Sequence, residues 1–597
     1  MNHLTDKDLS GYVHQTLTDA ERESMNRHLD VCPECRERAE AQKALQRQIH
    51  YELSSKLRRE RPSSLQFQKI APQLQKQRRL ARIRFHSMQM LTAVVVIAVL
   101  VVLATVLTVF FEPPAWVTLS SNELPAKSTV LEAVWEDESI YRNGLIKNER
   151  EVLDMLATAP IYHLDIEIEP DLQTINGRQE LRYVNQTGQA LDELYFRLWP
   201  NATFSNLRVT AIRINGKAVP VEPSPYIKSS DLRVGLNETL PPGKSLTVYM
   251  EFNLTVARSR NGFNGTLGLI DDVLTLAHFH PTLAAFQDDT WQLETAVHGM
   301  ASYPENSFYL VEVTAPENVP IITSGMEIGS EMVGNRQIST FAAGPIGTFY
   351  LTASERYTVA MSQTIGETRI TSYAYADELT EQAKEALYHT VDALEYMNNH
   401  YGTYPYTRLN IIGTPTLNFA QPGVAFSGVV LTNLTTYDYV YDFGQRSLPS
   451  AVIYGVVYQW FGHIIGSNRL QAPWLSEAVS EFTAQTIIAR VYGEEALDSV
   501  EWLSLTKRRD AVLIGNPADA YAQEEYLATM HGRGPDFLLI ISKAMGDEMW
   551  TAVMRDYYLT YKWQSRPPPT TAAFQHLIEE HCTCKLDQFF ANWVEKP

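Results

Sequence analysis

Cysteine is scarce in this chain of 597 residues, and the scarcity excludes one common architecture. The chain has four cysteines in two close pairs, Cys32/Cys35 and Cys582/Cys584, which is too few for a disulfide framework. Each pair therefore needs its own explanation. For Cys582 and Cys584 the sequence leaves four options open: a strained disulfide, a bond to another chain, two thiols, or two small residues buried near the C-terminus.

Net positive charge is also lacking. The formal net charge is −19, which argues against nucleic acid as a partner. With 45% hydrophobic and 20% charged residues, the composition is that of a globular protein and does not indicate disorder. The length exceeds what a single hydrophobic core supports, so we expect several domains.

One stretch of the chain lacks charge altogether. Residues 91–111 read LTAVVVIAVLVVLATVLTVFF, about the length needed to cross a hydrocarbon core. Residues 51–90 hold ten Lys/Arg against two acids, whereas residues 112–141 hold one Lys against six acids. Because positive flanks stay in the cytoplasm, this pattern predicts a single-pass protein of the cell membrane, seated in the lipid bilayer, with a cytoplasmic N-terminus and extracytoplasmic C-terminal domains.

The N-terminal segment carries a metal-ligand pattern, H-x3-C-x2-C. His28 and Cys32 are four residues apart and share one face of a helix, and Cys35 follows after a proline turn. One imidazole and two thiolates at this spacing suit a tetrahedral zinc site. The alternative is a small helical adaptor in which the pattern occurs by chance.

The N-terminal segment reads DLSGYVHQTLTDAERESMNRHLDVCPECRE. This segment resembles the zinc-binding anti-sigma factor family. That resemblance implies a fourth ligand about 25 positions before the motif histidine, which fits His3, with His14 as the poorer candidate. The expected zinc ligands are therefore His3, His28, Cys32 and Cys35. The resemblance also implies a cytoplasmic sigma factor as a possible partner.

The rest of the chain changes from strand-like to helix-like patterns. Alternation at residues 162–169 predicts a half-buried strand, and short strands with Gly, Asn and Pro turns continue to about residue 356. The patterns predict helices in five segments: 128–157, 380–401, 449–465, 476–491 and 535–558. The expected domains are an anti-sigma-like module at 1–60, a basic linker at 61–87, a membrane helix at 88–111, a stalk at 112–158, a β domain at 159–356 and a helical domain at 357–597.

Two later segments read FHPTLAAFQDDTW and YQWFGHIIGSNRLQAPWLSEAVSEF. They resemble the membrane alanyl aminopeptidase family of gluzincin metallopeptidases, and the resemblance covers residues 160–597. The resemblance implies a β-saddle domain followed by a thermolysin-like domain. The fold class we expect is therefore multidomain α+β: a small zinc-bound helical domain, one transmembrane helix, the β-saddle domain and a mainly helical domain.

The family's zinc motif is replaced in this chain. A gluzincin carries H-E-x-x-H on one helix, with two zinc ligands and a general base. The Q-W-F-G anchor places that window at Tyr454-Gly455-Val456-Val457-Tyr458, so both histidines are tyrosine and the base is glycine. The third ligand position, nineteen residues later, is Glu477. Such a carboxylate could be left in the cleft, hydrogen-bonded to Tyr454 or Tyr458.

Two more positions implied by the resemblance also differ. Ala425 stands where the family has the glutamate that holds the substrate amine, and His531 stands where it has the transition-state tyrosine. His463 and His531 could reach the cleft, but no spacing places two histidines on one face with Glu477. We therefore expect no catalytic residues and no zinc here, only a degenerate cleft near Ala425, Tyr454, Tyr458, Glu477 and His531.

Three functions follow as hypotheses. The first is a transmembrane regulator whose cleft binds a peptide or protein outside and whose zinc module acts inside. The second is a membrane-bound zinc aminopeptidase with atypical ligands. The third is an extracytoplasmic binding or scaffolding protein with no signalling output.

Overall fold

The computed structural model describes residues 32, 130–223, 230–260, 263–287, 289–293, 298, 305–417, 423–434, 448–499, 512–563 and 568–594. The chain divides into two compact units, Met1–Asn122 and Glu123–Pro597. Of the first unit only Cys32 is described, and it is buried. All the helices and strands that the structure describes belong to the second unit.

The first part of this unit is built on antiparallel sheets. Two short helices precede them, α1 (Ser139–Arg142) and α2 (Val152–Met155). The strands are β1 (Ile161–Ile168), β2 (Thr174–Val184), β3 (Leu191–Arg197), β4 (Asn206–Ile214), β5 (Lys217–Val219), β6 (Glu222–Pro223), β7 (Asp231–Leu240), β8 (Ser245–Thr255), β9 (Leu267–Ile270), β10 (Val273–Leu276), β11 (Thr282–Leu283), β12 (Phe286–Gln287), β13 (Thr290–Trp291), β14 (Ser307–Pro316), β15 (Ile321–Thr323), β16 (Met326–Val333), β17 (Arg336–Ile346) and β18 (Leu351–Ala353).

These strands form one large sheet and three smaller ones. The large sheet has eight strands in the order β16-β17-β14-β1-β2-β8-β4-β5, and the β1–β14 pair within it is parallel. The smaller sheets run β15-β18-β10-β9, β11-β3-β7-β6 and β12-β13.

Strand β1 lies in the middle of the large sheet, and this position alters the expected half-buried pattern. Its polar residues His163 and Asp165 are buried along with its apolar ones. The ring of His163 stacks on Trp135 at a centroid distance of 3.9 Å, and Asp165 forms an ion pair with Arg178. Both faces of β1 are covered, so alternation marked the strand correctly but not its burial.

The second part begins with a sheet and continues with helices. The sheet has the order β19-β20-β21-β23-β22, with strands β19 (Thr358–Ile365), β20 (Thr368–Ala374), β21 (Arg408–Gly413), β22 (Gly423–Phe426) and β23 (Val429–Thr432). The helices are α3 (Thr380–His400), α4 (Leu448–Tyr458), α5 (Glu477–Tyr492), α6 (Gln523–Ala528), α7 (Gly534–Met545), α8 (Asp547–Tyr561), α9 (Thr571–Cys582) and α10 (Asp587–Trp593).

The expected fold class is wrong in two respects, and the first concerns this sheet. The part after residue 356 is not simply helical, because it opens with a five-stranded sheet in which β20, β21 and β23 run parallel. Parallel strands need long crossovers, and α3 supplies the one between β20 and β21. The periodicity of α3 is strong, whereas the short strands around it give a weak pattern. The architecture is mixed α/β with several sheets.

The second correction concerns the membrane. Across the part of the chain that the structure describes, no helix combines the length and the apolar character needed to cross a bilayer. The predicted span at 88–111 lies outside the described residues. The finding contradicts the predicted transmembrane helix and the predicted single-pass membrane location.

Several helix boundaries also differ from those expected. The predicted helix at 449–465 is α-helical to Tyr458 and continues as a π-helix, Gln459–Ile465. The predicted helix at 535–558 is two helices, because Gly546 interrupts it with a φ of 82°. The predicted helix at 128–157 is a series of short turns, α1 and α2 among them.

The buried histidine of β1 makes the fold sensitive to acid. Burial lowers the pKa of His163 to about 4, and its Nδ1 has no hydrogen-bond partner among the described residues. In the unfolded chain this histidine takes up a proton below about pH 6.5, whereas in the folded state it does so only near pH 4. The free energy of unfolding therefore falls as the pH drops from about 6.5 toward 4.

We expect His163→Phe to raise the free energy of unfolding by about 2 kcal/mol at pH 5, relative to its effect at pH 8. Urea unfolding at the two pH values measures this difference. The variant His576→Gln, which removes an exposed histidine, serves as the matched control. Equal effects of His163→Phe at both pH values would show that this histidine is not the source of the acid sensitivity.

Candidate functional site

The candidate site lies where α4 faces α5. Tyr454 and Tyr458 are one helical turn apart on α4, so their side chains leave the same face. The Tyr454 hydroxyl donates to Glu477 Oε2 at 2.5 Å, and the Tyr458 hydroxyl donates to Glu477 Oε1 at 2.7 Å. Each carboxylate oxygen of Glu477 therefore accepts one phenolic hydrogen bond, as the sequence suggested for at least one of them.

Glu477 is placed by the start of α5. It is the first residue of that helix and is only 9% exposed. A carboxylate at a helix N-terminus is favoured by the helix dipole, but a buried charge still needs hydrogen-bond donors. The two tyrosines supply them.

The Tyr458 ring fits because the next turn carries no side chain. A Cβ built on Gly462 would lie 2.1 Å from Tyr458 Cε1, so the ring rests against the glycine backbone. Burial raises the pKa of Tyr458 far above its ordinary value, and the charge of Glu477 raises it further. Tyr458 is therefore a protonated phenol at neutral pH and acts as a donor.

A carboxylate–histidine pair begins one turn further along α5. Glu481 is almost fully buried, and its Oε2 is 2.9 Å from His531 Nδ1. His531 belongs to a second π-helix, Thr529–Arg533, and its ring edge meets the Tyr454 ring at a centroid distance of 5.7 Å. Thus α4, α5 and this π-helix meet in one cluster, Tyr454, Tyr458, Glu477, Glu481 and His531, which we call the phenol–carboxylate cluster.

The first π-helix holds the hairpin of β22 and β23 beside this cluster. The Gln459 amide accepts from the backbone N–H of Gly428 at 2.9 Å and donates to the Phe426 carbonyl at 2.9 Å. Ala425, on the same hairpin, is 7% exposed, and its carbonyl is 2.9 Å from His463 Nε2. The position expected to hold a substrate amine therefore presents a methyl group and a backbone carbonyl that is already engaged.

His463 is committed at both ring nitrogens. Nε2 donates to the Ala425 carbonyl, and Nδ1 lies 3.3 Å from a guanidinium nitrogen of Arg469. Burial lowers the pKa of His463 well below its ordinary value, with the charge of Arg469 adding to the effect. The ring is neutral, and its second nitrogen accepts rather than donates.

Sequence patterns missed three residues here: Arg469, Glu481 and Tyr526. The Arg469 Cζ lies 5.4 Å from the centroid of the Tyr458 ring, and Tyr526 is buried with a pKa raised by burial and then by the charge of Glu477. Glu481 carries a signal that could have been used, because it lies one turn after Glu477 on the same helix. Arg469 sits in an irregular segment where no periodicity points to the cleft.

The predicted zinc ligands belong to the N-terminal segment. His3, His28 and Cys35 lie outside the described residues, and Cys32 is described only as buried. Within the described ranges, no group of three or more His, Cys, Asp and Glu side chains is placed to hold a metal ion.

The overall fold of the chain is similar to that of solved metallopeptidases. The structure of an M1 zinc metallopeptidase from Deinococcus radiodurans has a TM-score of 0.53 with 16% identity, covering 73% of this chain and 94% of that one. A mutant of that enzyme bound to a Tyr-Ser-Ala substrate has a TM-score of 0.54 over the same shares. The chain therefore has an M1 zinc aminopeptidase-like fold.

Sequence relatives agree with the fold but are distant. Aminopeptidase 2 of Candida albicans is 21% identical over 458 residues, covering 70% of this chain and 45% of that protein. Leukotriene A-4 hydrolase of Xenopus laevis is 21% identical over 300 residues, covering 49% of this chain and 46% of that protein. The chain thus spans less than half the length of these relatives.

The N-terminal segment matches a separate family, whose description is "Putative zinc-finger", over residues 5–36. That range contains His28, Cys32 and Cys35 as well as His14, but not His3. The match supports zinc in the N-terminal region, and the chain combines a zinc-finger-like segment with an aminopeptidase-like fold.

The hydrogen bonds to Glu477 should contribute to the free energy of unfolding. We expect Tyr458→Phe to lower the free energy of unfolding by about 1–3 kcal/mol, because a buried carboxylate oxygen then loses its donor. Urea unfolding at pH 7 measures the loss. Tyr557→Phe is the matched control, since the Tyr557 hydroxyl is buried without a hydrogen-bond partner among the described residues. If the two variants lost the same stability, the bond to Glu477 would contribute nothing.

Proposed function

We propose that this protein is a pseudopeptidase: it keeps the fold of a zinc aminopeptidase, binds a peptide or protein in the cleft, and does not hydrolyse it. The observation that carries the proposal is the pair of phenolic hydrogen bonds that occupy both oxygens of Glu477. Bound ligand would be signalled through the N-terminal zinc-binding module, so the protein would act as a regulator.

The donor set does not fit a catalytic zinc. Zinc in proteins is held by imidazole, thiolate and carboxylate groups. A tyrosine could join them only as a phenolate, and burial together with Glu477 keeps Tyr458 protonated. Glu477 is the one carboxylate expected as a ligand, and both of its oxygens already accept hydrogen bonds.

The packing around position 455 leaves no room for the side chain of a general base. Gly455 stands at the position of the base, and a Cβ built there would lie 2.6 Å from Val430 Cγ1. Strand β23 therefore fills the space that a glutamate side chain would need. A missing general base commonly lowers the rate by a factor on the order of 10²–10⁴.

The histidines near the cleft do not supply a substitute. His463 is held between the Ala425 carbonyl and Arg469, and His531 is paired with Glu481. These contacts weigh against the second hypothesis, a zinc aminopeptidase with atypical ligands, because both rings already have other hydrogen-bond partners.

The regulatory part of the proposal rests on the two-part composition of the chain. A zinc-finger-like segment at residues 5–36 precedes a peptidase-like fold from which the expected chemistry is missing. We propose zinc bound by His3, His28, Cys32 and Cys35, a sigma factor as the partner of this module, and a peptide or protein as the ligand of the cleft. Nucleic acid is not among the proposed partners, in line with the net charge of −19.

Two observations would separate this regulator from a binding or scaffolding protein. Affinity purification of the full chain should recover a sigma factor if the module regulates one, and recovery of none would count heavily against it. Deletion of residues 1–87 should abolish the output of a regulator, whereas a scaffold would keep its phenotype.

The pseudopeptidase itself is tested by metal content and by the fate of a peptide. We expect the full-length chain to hold about one zinc, which fits a single structural site, and to leave Tyr-Ser-Ala intact. Elemental analysis and mass spectrometry of the incubated peptide measure the two results. Cys32→Ser/Cys35→Ser should lose the zinc, while Tyr454→Phe/Tyr458→Phe should keep it.

Two results would overturn the proposal. The first is a second zinc that disappears in Tyr454→Phe/Tyr458→Phe, since it would place a metal on the phenols. The second is release of free tyrosine from Tyr-Ser-Ala in proportion to the amount of protein, since it would show that the cleft hydrolyses peptides.

A further inference from the structure

The two C-terminal cysteines form a bond that the aminopeptidase-like fold does not explain. Cys582 and Cys584 are joined by a disulfide across a Cα separation of 5.1 Å. Cys582 ends helix α9, and Thr583 after it has the left-handed conformation, with φ 51°. This residue turns the chain so that the two side chains meet.

Such a bond is a poor structural brace. A disulfide stabilises a fold mainly by restricting the unfolded chain, and the effect grows with the length of the loop it closes. Here the bonded residues are two positions apart, so the loop is minimal and the restriction is small.

The turn is held by another residue. The Glu579 carbonyl accepts from the backbone N–H groups of Thr583 and Cys584. The Glu579 carboxylate accepts from the Leu586 N–H at 2.8 Å and from Lys585 Nζ at 2.7 Å. These four hydrogen bonds are donated by nitrogen rather than by sulfur, so their formation does not require the disulfide.

The anchor also stays charged over a wide pH range. Hydrogen bonds, first from Gln575 and then from Lys585 and the Leu586 N–H, lower the pKa of Glu579 to about 2. Its side chain is only 7% exposed. The turn that positions the cysteines is thus held by an ionised carboxylate at every pH at which thiols react.

The two bonded cysteines lie at the surface of the fold. Cys584 is exposed and Cys582 is partly exposed, whereas structural disulfides in cores are shielded. Thiol–disulfide exchange requires a thiolate to approach a disulfide sulfur along an open path. Cys584, as the more exposed residue, is the half of the bond at which such an approach is expected.

We propose that Cys582 and Cys584 are a redox-active pair that exchanges its disulfide with dithiols, independently of the peptidase-like cleft. A thiolate of the dithiol attacks the Cys584 sulfur, the Cys582–Cys584 bond breaks, and Cys582 leaves as a thiolate that takes up a proton. The second thiol of the reagent then attacks the mixed disulfide and releases Cys584. Two electrons and two protons pass to the protein, and the dithiol becomes a disulfide.

The experiment uses the folded full-length chain in buffers of reduced and oxidised dithiothreitol, quenched with acid and labelled with a maleimide. Trypsin gives one peptide, 563–585, that carries both cysteines, and separates it from Cys32 and Cys35. We expect no label in oxidising buffer, two labels in reducing buffer, and full reversal on return. A bond that resists reduction until urea unfolds the chain would overturn the proposal, as would two labelled thiols in oxidising buffer.

A matched variant tests the role of the anchor. Glu579→Gln keeps the size of the side chain but removes the charge that accepts from Gln575, Lys585 and the Leu586 N–H. We expect the loss of these charge-assisted hydrogen bonds to lower the equilibrium constant for disulfide formation about tenfold. A tenfold change corresponds to about 30 mV in the reduction potential. Gln588→Glu, on the exposed face of α10, serves as the charge control and should leave the midpoint unchanged. Equal midpoints in Glu579→Gln and the unchanged chain would refute the anchoring.

Discussion

A carboxylate held out of water must find hydrogen-bond donors, and this constraint organises the cleft of the protein. Glu477 begins helix α5 inside the fold, where the helix dipole alone does not replace its hydration. The donors come from Tyr454 and Tyr458 on α4. The same bonds fasten α4 to α5, so the buried carboxylate joins two helices.

The sequence allowed the central contact to be predicted because helical periodicity is reliable over one turn. Positions four apart on α4 share a face, and the Q-W-F-G anchor and the W-L-S-E segment fixed their distance from Glu477 along the chain. The order of a β part followed by a part rich in helices was also visible in the change of hydrophobic period. What periodicity could not give was the sheet of β19 to β23, whose short strands are interrupted by the long helix α3.

The remaining features depend on contacts between distant residues. His531 and Glu481 are fifty positions apart in the chain, and Arg469 reaches Tyr458 from an irregular segment. Central burial of β1 depends on strand β14, about 145 positions later in the chain, as the pairing of Ile161 with Phe308 shows. The membrane helix was inferred from the uncharged run at residues 91–111 and the charges that flank it, and no helix in the described ranges is long and apolar enough to cross a membrane. Local pattern identifies elements, while their partners are decided by tertiary packing.

The close approach of Val430 to Gly455 limits the side chains that position 455 can carry. A glutamate there would meet the valine side chain, since even its Cβ would lie 2.6 Å from Val430 Cγ1. Such a substitution on its own would therefore cost stability. Val430 would have to become smaller first. The order of the two substitutions matters, and the packing of one valine makes a glutamate difficult to introduce at this position.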